Sequence, residues 1–189
     1  MNTTRLNLGC GDRYVDGWHN VDFGYPDKVD ERVDLDGPLP WTDVSHIYAG
    51  HLFEHMSPAS CLSLARRLLD CTDPAGCLLM AVGPDVPIAQ AMITDGTFDP
   101  TYHSLDSIIR GAHRWPGDEH RWETSGPLVA SMLRSAGWPV VSDIGIAHVS
   151  DFWPVADRTP QWQYAVRAWY GPAYRGQSDV HPGEPIRTS

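Results

Sequence analysis

The stretch Arg5-Leu6-Asn7-Leu8-Gly9-Cys10-Gly11-Asp12, answered by His19-Asn20-Val21-Asp22, decides how the rest of the chain is read. Leu6 and Leu8 alternate with polar neighbours as in a short buried strand, and two glycines then remove the β-carbons where the chain must turn sharply. A turn bared in this way at a strand end lets a ligand touch the backbone. Residues 17–23 read as a second strand that closes on a carboxylate. In open parallel sheets, ligands bind outside the carboxyl ends of strands where the strand order reverses, and an acidic residue ending the second strand takes both hydroxyls of a ribose. The pair of segments therefore points to a nucleoside-bearing ligand. A dinucleotide fingerprint needs a third glycine, but Tyr14 stands in its place, and no Gly-Lys-Ser/Thr phosphate loop occurs. A phosphate-rich ligand is disfavoured.

Four segments in order, Leu6-Asn7-Leu8-Gly9-Cys10-Gly11, Asn20-Val21-Asp22, Leu39-Pro40-Trp41 and His51-Leu52-Phe53-Glu54-His55, resemble the class I S-adenosylmethionine-dependent methyltransferases. The likeness is to the small bacterial and phage branch with a compressed first crossover, and it covers roughly residues 5 to 170. It implies an α/β, Rossmann-like methyltransferase fold: a mostly parallel seven-stranded sheet with an antiparallel last strand and a shortened first helix. S-adenosylmethionine is the implied cofactor. Leu8, Gly9, Cys10 and Gly11 would meet it by backbone, Asp22 would hold the ribose, Asp34 with Leu35 would read the adenine, and His51 would also contact the cofactor, near the reacting centre. Asp36 is the runner-up at the adenine.

A chain of 189 residues suits one domain with a single substantial core. Residues 1–170 are expected to form it, with 84–124 a lid-like insertion and 171–189 a disordered tail of Gly, Pro, Ser and charged residues. Hydrophobic residues at 42% and charged residues at 20% are ordinary for a globular protein. No apolar run is long enough to span a membrane and the polar N-terminus is not a signal peptide, so a cytoplasmic protein without a membrane partner is expected. The formal charge of -10 repels a phosphate backbone, which disfavours nucleic acid as a partner. Arg110, His113, Arg114, His120 and Arg121 are the one basic cluster worth considering. Cys10, Cys61, Cys71 and Cys77 contain no Cys-x-x-Cys pair and are expected to be buried free thiols.

Only ten residues separate Gly11 from Asp22, fewer than a helical crossover uses, so the first helix is expected to shrink to about one turn over 12–16. Residues 31–35 and 45–49 read as the third and fourth strands. Ser57 caps and Pro58 opens a helix whose apolar stripe is Cys61, Leu64, Ala65, Leu68 and Leu69. Residues 77–82 are the continuous apolar run of a central parallel strand, and strand, helix, strand is the pattern of a doubly wound sheet. Short helices are expected over 88–93 and 104–110. Thr124 or Ser125 then caps a helix with Leu128, Val129, Met132, Leu133 and Ala136 inward and Gly137 at its stop. Strands over 140–146 and 163–170 close the fold, the antiparallel pair that the resemblance implies.

Methyl transfer from a sulfonium is an in-line displacement, so its main requirement is a dry pocket that holds donor and acceptor at attack distance. A hydroxyl acceptor also needs a base. His51, directly after the fourth strand, is the first candidate, and an imidazole suits the role. His55 and His120 complete the catalytic set, with Glu54 and Asp85 also considered. Trp115, Trp122 and Trp153 are candidates to line a pocket for a sugar or aromatic ring. The expected acceptor is an oxygen or nitrogen of a small molecule or glycan. No Asn-Pro-Pro-Tyr-type motif occurs, which argues against methylation of nucleic-acid bases. Two other classes stay open. One is a catalytically inactive methyltransferase-like scaffold. The other is a zinc hydrolase in which His51-x-x-Glu54-His55 binds the metal with Glu119 or Glu123 as third ligand. That motif needs a continuous helix, whereas Ser57-Pro58 opens a new one just after it, so the favoured reading places no metal at the site.

Overall fold

The structure is a computed structural model that describes residues 4–24, 28–101, 103–114, 117–155 and 161–172. Seven strands, β1 (Thr4–Leu8), β2 (His19–Asp22), β3 (Glu31–Arg32), β4 (Val44–Gly50), β5 (Cys77–Pro84), β6 (Val140–Asp143) and β7 (Gln163–Tyr170), form one sheet in the order β3-β2-β1-β4-β5-β7-β6. β1 to β5 run parallel to one another, while β7 runs antiparallel to both β5 and β6. Strand order reverses at β1 and β4, so the crevice for a ligand lies beyond their carboxyl ends. The expected sheet is present. Its margins are shorter than the sequence suggests: β3 ends before Asp34, and Ile146 belongs to a 3-10 turn, Ile146–His148, rather than to β6.

Four α-helices complete the order: α1 (Pro58–Asp70), α2 (Val86–Asp95), α3 (Leu105–Arg110) and α4 (Gly126–Ala136). Ser57 caps α1 as expected, its hydroxyl accepting the Ser60 amide at 3.1 Å. Cys61, Leu64, Ala65 and Leu68 of α1 and Val129, Ala130, Leu133 and Ala136 of α4 pack with Leu6, Leu8, Ile47, Leu79 and Val166 on one face of the sheet. Leu128 was expected inward but is 52% exposed, because Val129, Leu133 and Ala136 define a stripe that it falls beside. Ser125 stands at the N-cap of α4 but makes no side-chain cap. Buried Asp85 does that work for two helices. One carboxylate oxygen accepts the Ile88 amide of α2 at 3.2 Å and the other the Gly126 amide of α4 at 2.9 Å.

The opposite face departs from a doubly wound sheet. Tyr48, Met80, Val82 and Ala165 are covered there by Trp18, Ile146, Val149 and Trp153, which come from loops and the 3-10 turn rather than from α-helices. The crossover from β1 to β2 holds no helix at all, where a single turn was expected. Two facing asparagines replace it. Asn7 and Asn20 are paired across β1 and β2, and the Asn7 amide donates to the Arg13 carbonyl at 3.0 Å and to the Asn20 carboxamide at 2.8 Å. The Asn20 carboxamide accepts the Val15 amide at 2.8 Å and donates to the Val15 and Trp18 carbonyls at 3.0 and 2.8 Å. Side chains thus satisfy the backbone groups that a helix would have paired internally.

Candidate active site

A cleft of about 1280 Å³ opens at the carboxyl ends of β1, β2, β4 and β5. The turn after β1 forms its floor. Gly9 and Gly11 adopt φ of +62° and +53°, a region that suits residues without a β-carbon. A β-carbon on Gly9 would also lie 2.9 Å from Leu52 Cδ1. Gly9, Cys10 and Gly11 line the cleft, whereas Leu8, also expected at the cofactor, is wholly buried in the core beneath it. Burial and the charge of Asp22 push the Cys10 thiol up to about 11, so it remains protonated at neutral pH. The other three cysteines are likewise free and buried.

Asp22 ends β2 on the cleft wall. Its carboxylate accepts the Gly11 amide at 3.0 Å and the Gly24 amide at 3.2 Å, which ties the tip of the second strand to the glycine turn of the first. Phe23 beside it lines the cleft while 68% exposed, a large apolar surface left to solvent. Asp34, Leu35 and Asp36 form the next part of the wall. The Asp34 carboxylate accepts the Asp36 amide at 2.9 Å, and the Arg67 guanidinium of α1 donates to the carbonyls of Leu35, at 2.6 Å, and Gly37. Nothing in the sequence near Arg67 marks this clamp, since a lone arginine on a helix flank is ordinary.

Beyond β4 the chain bends through His51, whose φ is +53°, into a single 3-10 turn, Phe53–His55. Nδ1 of His51 donates to Glu54 Oε1 at 3.0 Å, which leaves Nε2 of a neutral ring as the acceptor. Glu54 is wholly buried. Burial alone would raise its pKa, but the His51 hydrogen bond and the fields of His51, His55 and His120 outweigh it and hold the carboxyl below its usual range. His55 and His120 meet edge to face with ring centroids 4.9 Å apart. Nδ1 of each points at a carbonyl, Glu119 O at 3.3 Å for His55 and Ile108 O at 2.9 Å for His120. Burial lowers the His120 pKa and favours its neutral form. His51, His55 and His120 all line the cleft, so the structure brings the three expected catalytic histidines together.

Other expectations need correction. Asp85 caps helices and does not line the cleft. Trp122 donates from Nε1 to the Phe53 carbonyl at 2.8 Å and packs on the core, and Trp153 lies on the opposite face of the sheet. Trp115 falls outside the described residues. The aromatic surfaces in the cleft are instead Phe23, Tyr48 and Trp162. The zinc-peptidase geometry is absent because His51 precedes the short turn and bonds Glu54 itself. The Glu119 carboxylate turns to the Gly117 amide at 2.9 Å and Glu123 is exposed, so neither supplies a third ligand. The basic cluster is partly neutralised, with Arg110 on Asp106 at 3.3 Å and Arg114 on Asp118 at 3.2 Å.

Among the described residues no helix is long and apolar enough to cross a membrane. No protein-family model matches the sequence, and no curated protein matches it. Solved structures do match in shape. A candidate O-methyltransferase of Nostoc punctiforme has 10% identity and a TM-score of 0.57, over 90% of this chain and 53% of that one. Human N-acetylserotonin methyltransferase, solved in complex with S-adenosylmethionine, has 13% identity and a TM-score of 0.51, over 89% of this chain and 48% of that one. An S-adenosylmethionine-dependent methyltransferase of Archaeoglobus fulgidus has 13% identity and a TM-score of 0.54, over 89% of this chain and 86% of that one. The chain thus spans about half the length of the first two. With the strand order, the antiparallel β7 and the cleft at the switch point, these likenesses establish the fold as that of the class I S-adenosylmethionine-dependent methyltransferases.

Proposed function

We propose that this chain is an S-adenosylmethionine-dependent methyltransferase acting on an oxygen or nitrogen atom of a small molecule or glycan. The observation that carries this reading is the Asp22 carboxylate, tied to the Gly11 amide at the mouth of the switch-point cleft. A carboxylate there suits the vicinal hydroxyls of a ribose. The bare Gly9–Gly11 backbone leaves room for close approach, and the Asp34–Asp36 loop, clamped by Arg67, offers amides and carboxylates to a base edge. Exposed Phe23 offers a face for that base. The cleft volume exceeds that of an ordinary single-ligand pocket, which supports room for cofactor and acceptor together.

When bound, S-adenosylmethionine supplies a methyl group on a sulfonium for in-line displacement by the acceptor. The chain's own part is positional. His51, oriented by buried Glu54, presents Nε2 to take the proton from an acceptor hydroxyl. Leu52, Met56 and Trp162 supply apolar wall that excludes water. His103, Ser107, Arg114 and His120 all bring the 84–124 segment onto the cleft, which supports its reading as a lid. Acidic net charge disfavours a nucleic-acid substrate.

The test is a calorimetric titration of the chelator-treated protein with S-adenosylmethionine and, separately, with S-adenosylhomocysteine. Micromolar binding of either, on the order of 8 kcal/mol, is expected. Binding of neither would remove the cofactor from the reading and favour a scaffold that has kept only the fold.

A further inference from the structure

Glu54, His55 and His120 converge so that one potential ligand atom from each lies within 4.8 Å of the others. Their protonation is constrained from outside the cluster. A carbonyl oxygen only accepts, so the hydrogen bonds to Glu119 O and Ile108 O put a ring proton of His55 and of His120 on Nδ1, and the neutral form of each ring then has its lone pair on Nε2. Glu54 Oε1 is occupied by His51, while Oε2 is buried with no hydrogen-bond partner. With both rings neutral, two imidazole lone pairs and a carboxylate oxygen are therefore gathered beside the cleft without a donor among them, the carboxylate wholly buried and the rings half-buried. Such an arrangement is unfavourable unless a positive charge sits between them.

We infer that Glu54, His55 and His120 form a binding site for a divalent first-row transition cation, such as Zn²⁺ or Mn²⁺, on the wall of the cleft. Two imidazoles and one carboxylate suit these cations, whereas Mg²⁺ and Ca²⁺ take mainly oxygen ligands. Backbone carbonyls on both Nδ1 atoms and His51 on the second carboxylate oxygen are the outer contacts that fix ligand orientation in metal sites. Ligands about 2.1 Å from a tetrahedral cation stand roughly 3.4 Å apart, so the widest pair of the cluster closes by up to about 1.4 Å on loading. Both histidines line the cleft, and three protein ligands leave coordination positions open on that side. Under the methyltransferase reading, on which this role rests, an acceptor oxygen completes the shell. That favours oxygen acceptors with a proton acidified by the cation over simple amines.

The test uses the full chain, stripped with chelator and dialysed, titrated with ZnCl₂ and MnCl₂ by calorimetry and with CoCl₂ by visible absorption. One equivalent is expected to bind, with a nitrogen-ligand signature in the cobalt spectrum. His55→Gln and His120→Gln should each weaken binding by about 100-fold or more. Glu54→Gln should do the same if it folds, and the histidine variants carry the test if it does not. His148→Gln, exposed in the 3-10 turn on the opposite face, should leave binding unchanged. Absence of one-equivalent binding, or binding that persists in both histidine variants, overturns the site and leaves a shared proton as the charge between the rings. S-adenosylmethionine titrated into the same metal-free sample separates the two ideas. Cofactor binding without metal uptake sinks only the metal site, and metal uptake without cofactor binding sinks only the methyltransferase reading.

Discussion

The Asp22 carboxylate is held by two amides, from Gly11 and Gly24, so its orientation is set before any ligand arrives. Asp22→Ala is expected to weaken S-adenosylmethionine binding by about 2–3 kcal/mol, the loss of hydrogen bonds to a charged acceptor, read by calorimetry. An unchanged affinity would put the ribose elsewhere. His51 sits at φ +53°, which asparagine tolerates, so His51→Asn isolates the loss of the imidazole from any backbone strain. That variant should bind cofactor normally yet slow single-turnover transfer to a hydroxyl acceptor by about 10² to 10⁴-fold. A rate within a few-fold of the parent would assign the proton to another group. Asp22 and His51 were legible in the sequence because the first ends, and the second directly follows, a strand that the apolar pattern reveals. The meeting of His55 with His120 was not, since distant segments are joined there only by folding.

At the level of elements, the crossover from β1 to β2 is the least ordinary part of the fold. Its brevity could be counted in the sequence, but the device that replaces the helix could not, because Asn7 and Asn20 read as polar members of alternating strands. Both are buried, at 2% and 0% exposure, and their carboxamides close the loop onto the sheet. Asn20→Ala leaves the Val15 amide and the Val15 and Trp18 carbonyls without this partner. Chemical denaturation should register a loss of about 2–4 kcal/mol, well above that of an exposed substitution. A loss under about 1 kcal/mol would mean that water replaces the side chain freely. The capping of α4 teaches a similar lesson. Local sequence favours Ser125, but Asp85, brought close by the fold, takes the Gly126 amide instead.

Across the whole molecule, the two faces of the sheet are built differently, and this has a consequence for pH. On the face without α-helices, His46 lies among Trp18, Phe152 and Trp153, where burial and the charge of Arg5 lower its pKa to about 4. Unfolding returns the ring to about 6.5, so the unfolded chain takes the proton first as pH falls. The stability held by neutral His46 is complete above about pH 6.5, is lost between there and about pH 4, and changes no further below. After allowance for partial solvent contact this amounts to about 2–3 kcal/mol. A His46→Leu variant should show a flatter stability profile than the parent in that window, measured by denaturant titration at several pH values; parallel profiles would mean that His46 titrates alike in both states. The sequence by itself determined the α/β class, most strand positions, the α1 cap and the carboxylate that ends β2 on the cleft wall, because these depend on local periodicity, turn residues and the carboxyl ends of strands. Only the tertiary structure decided the helix-free crossover, the aromatic cover on one face, the Arg67 clamp and the Glu54, His55 and His120 cluster. Each of these rests on contacts between segments distant in the chain, and local periodicity carries no record of which distant polar group will satisfy a buried one.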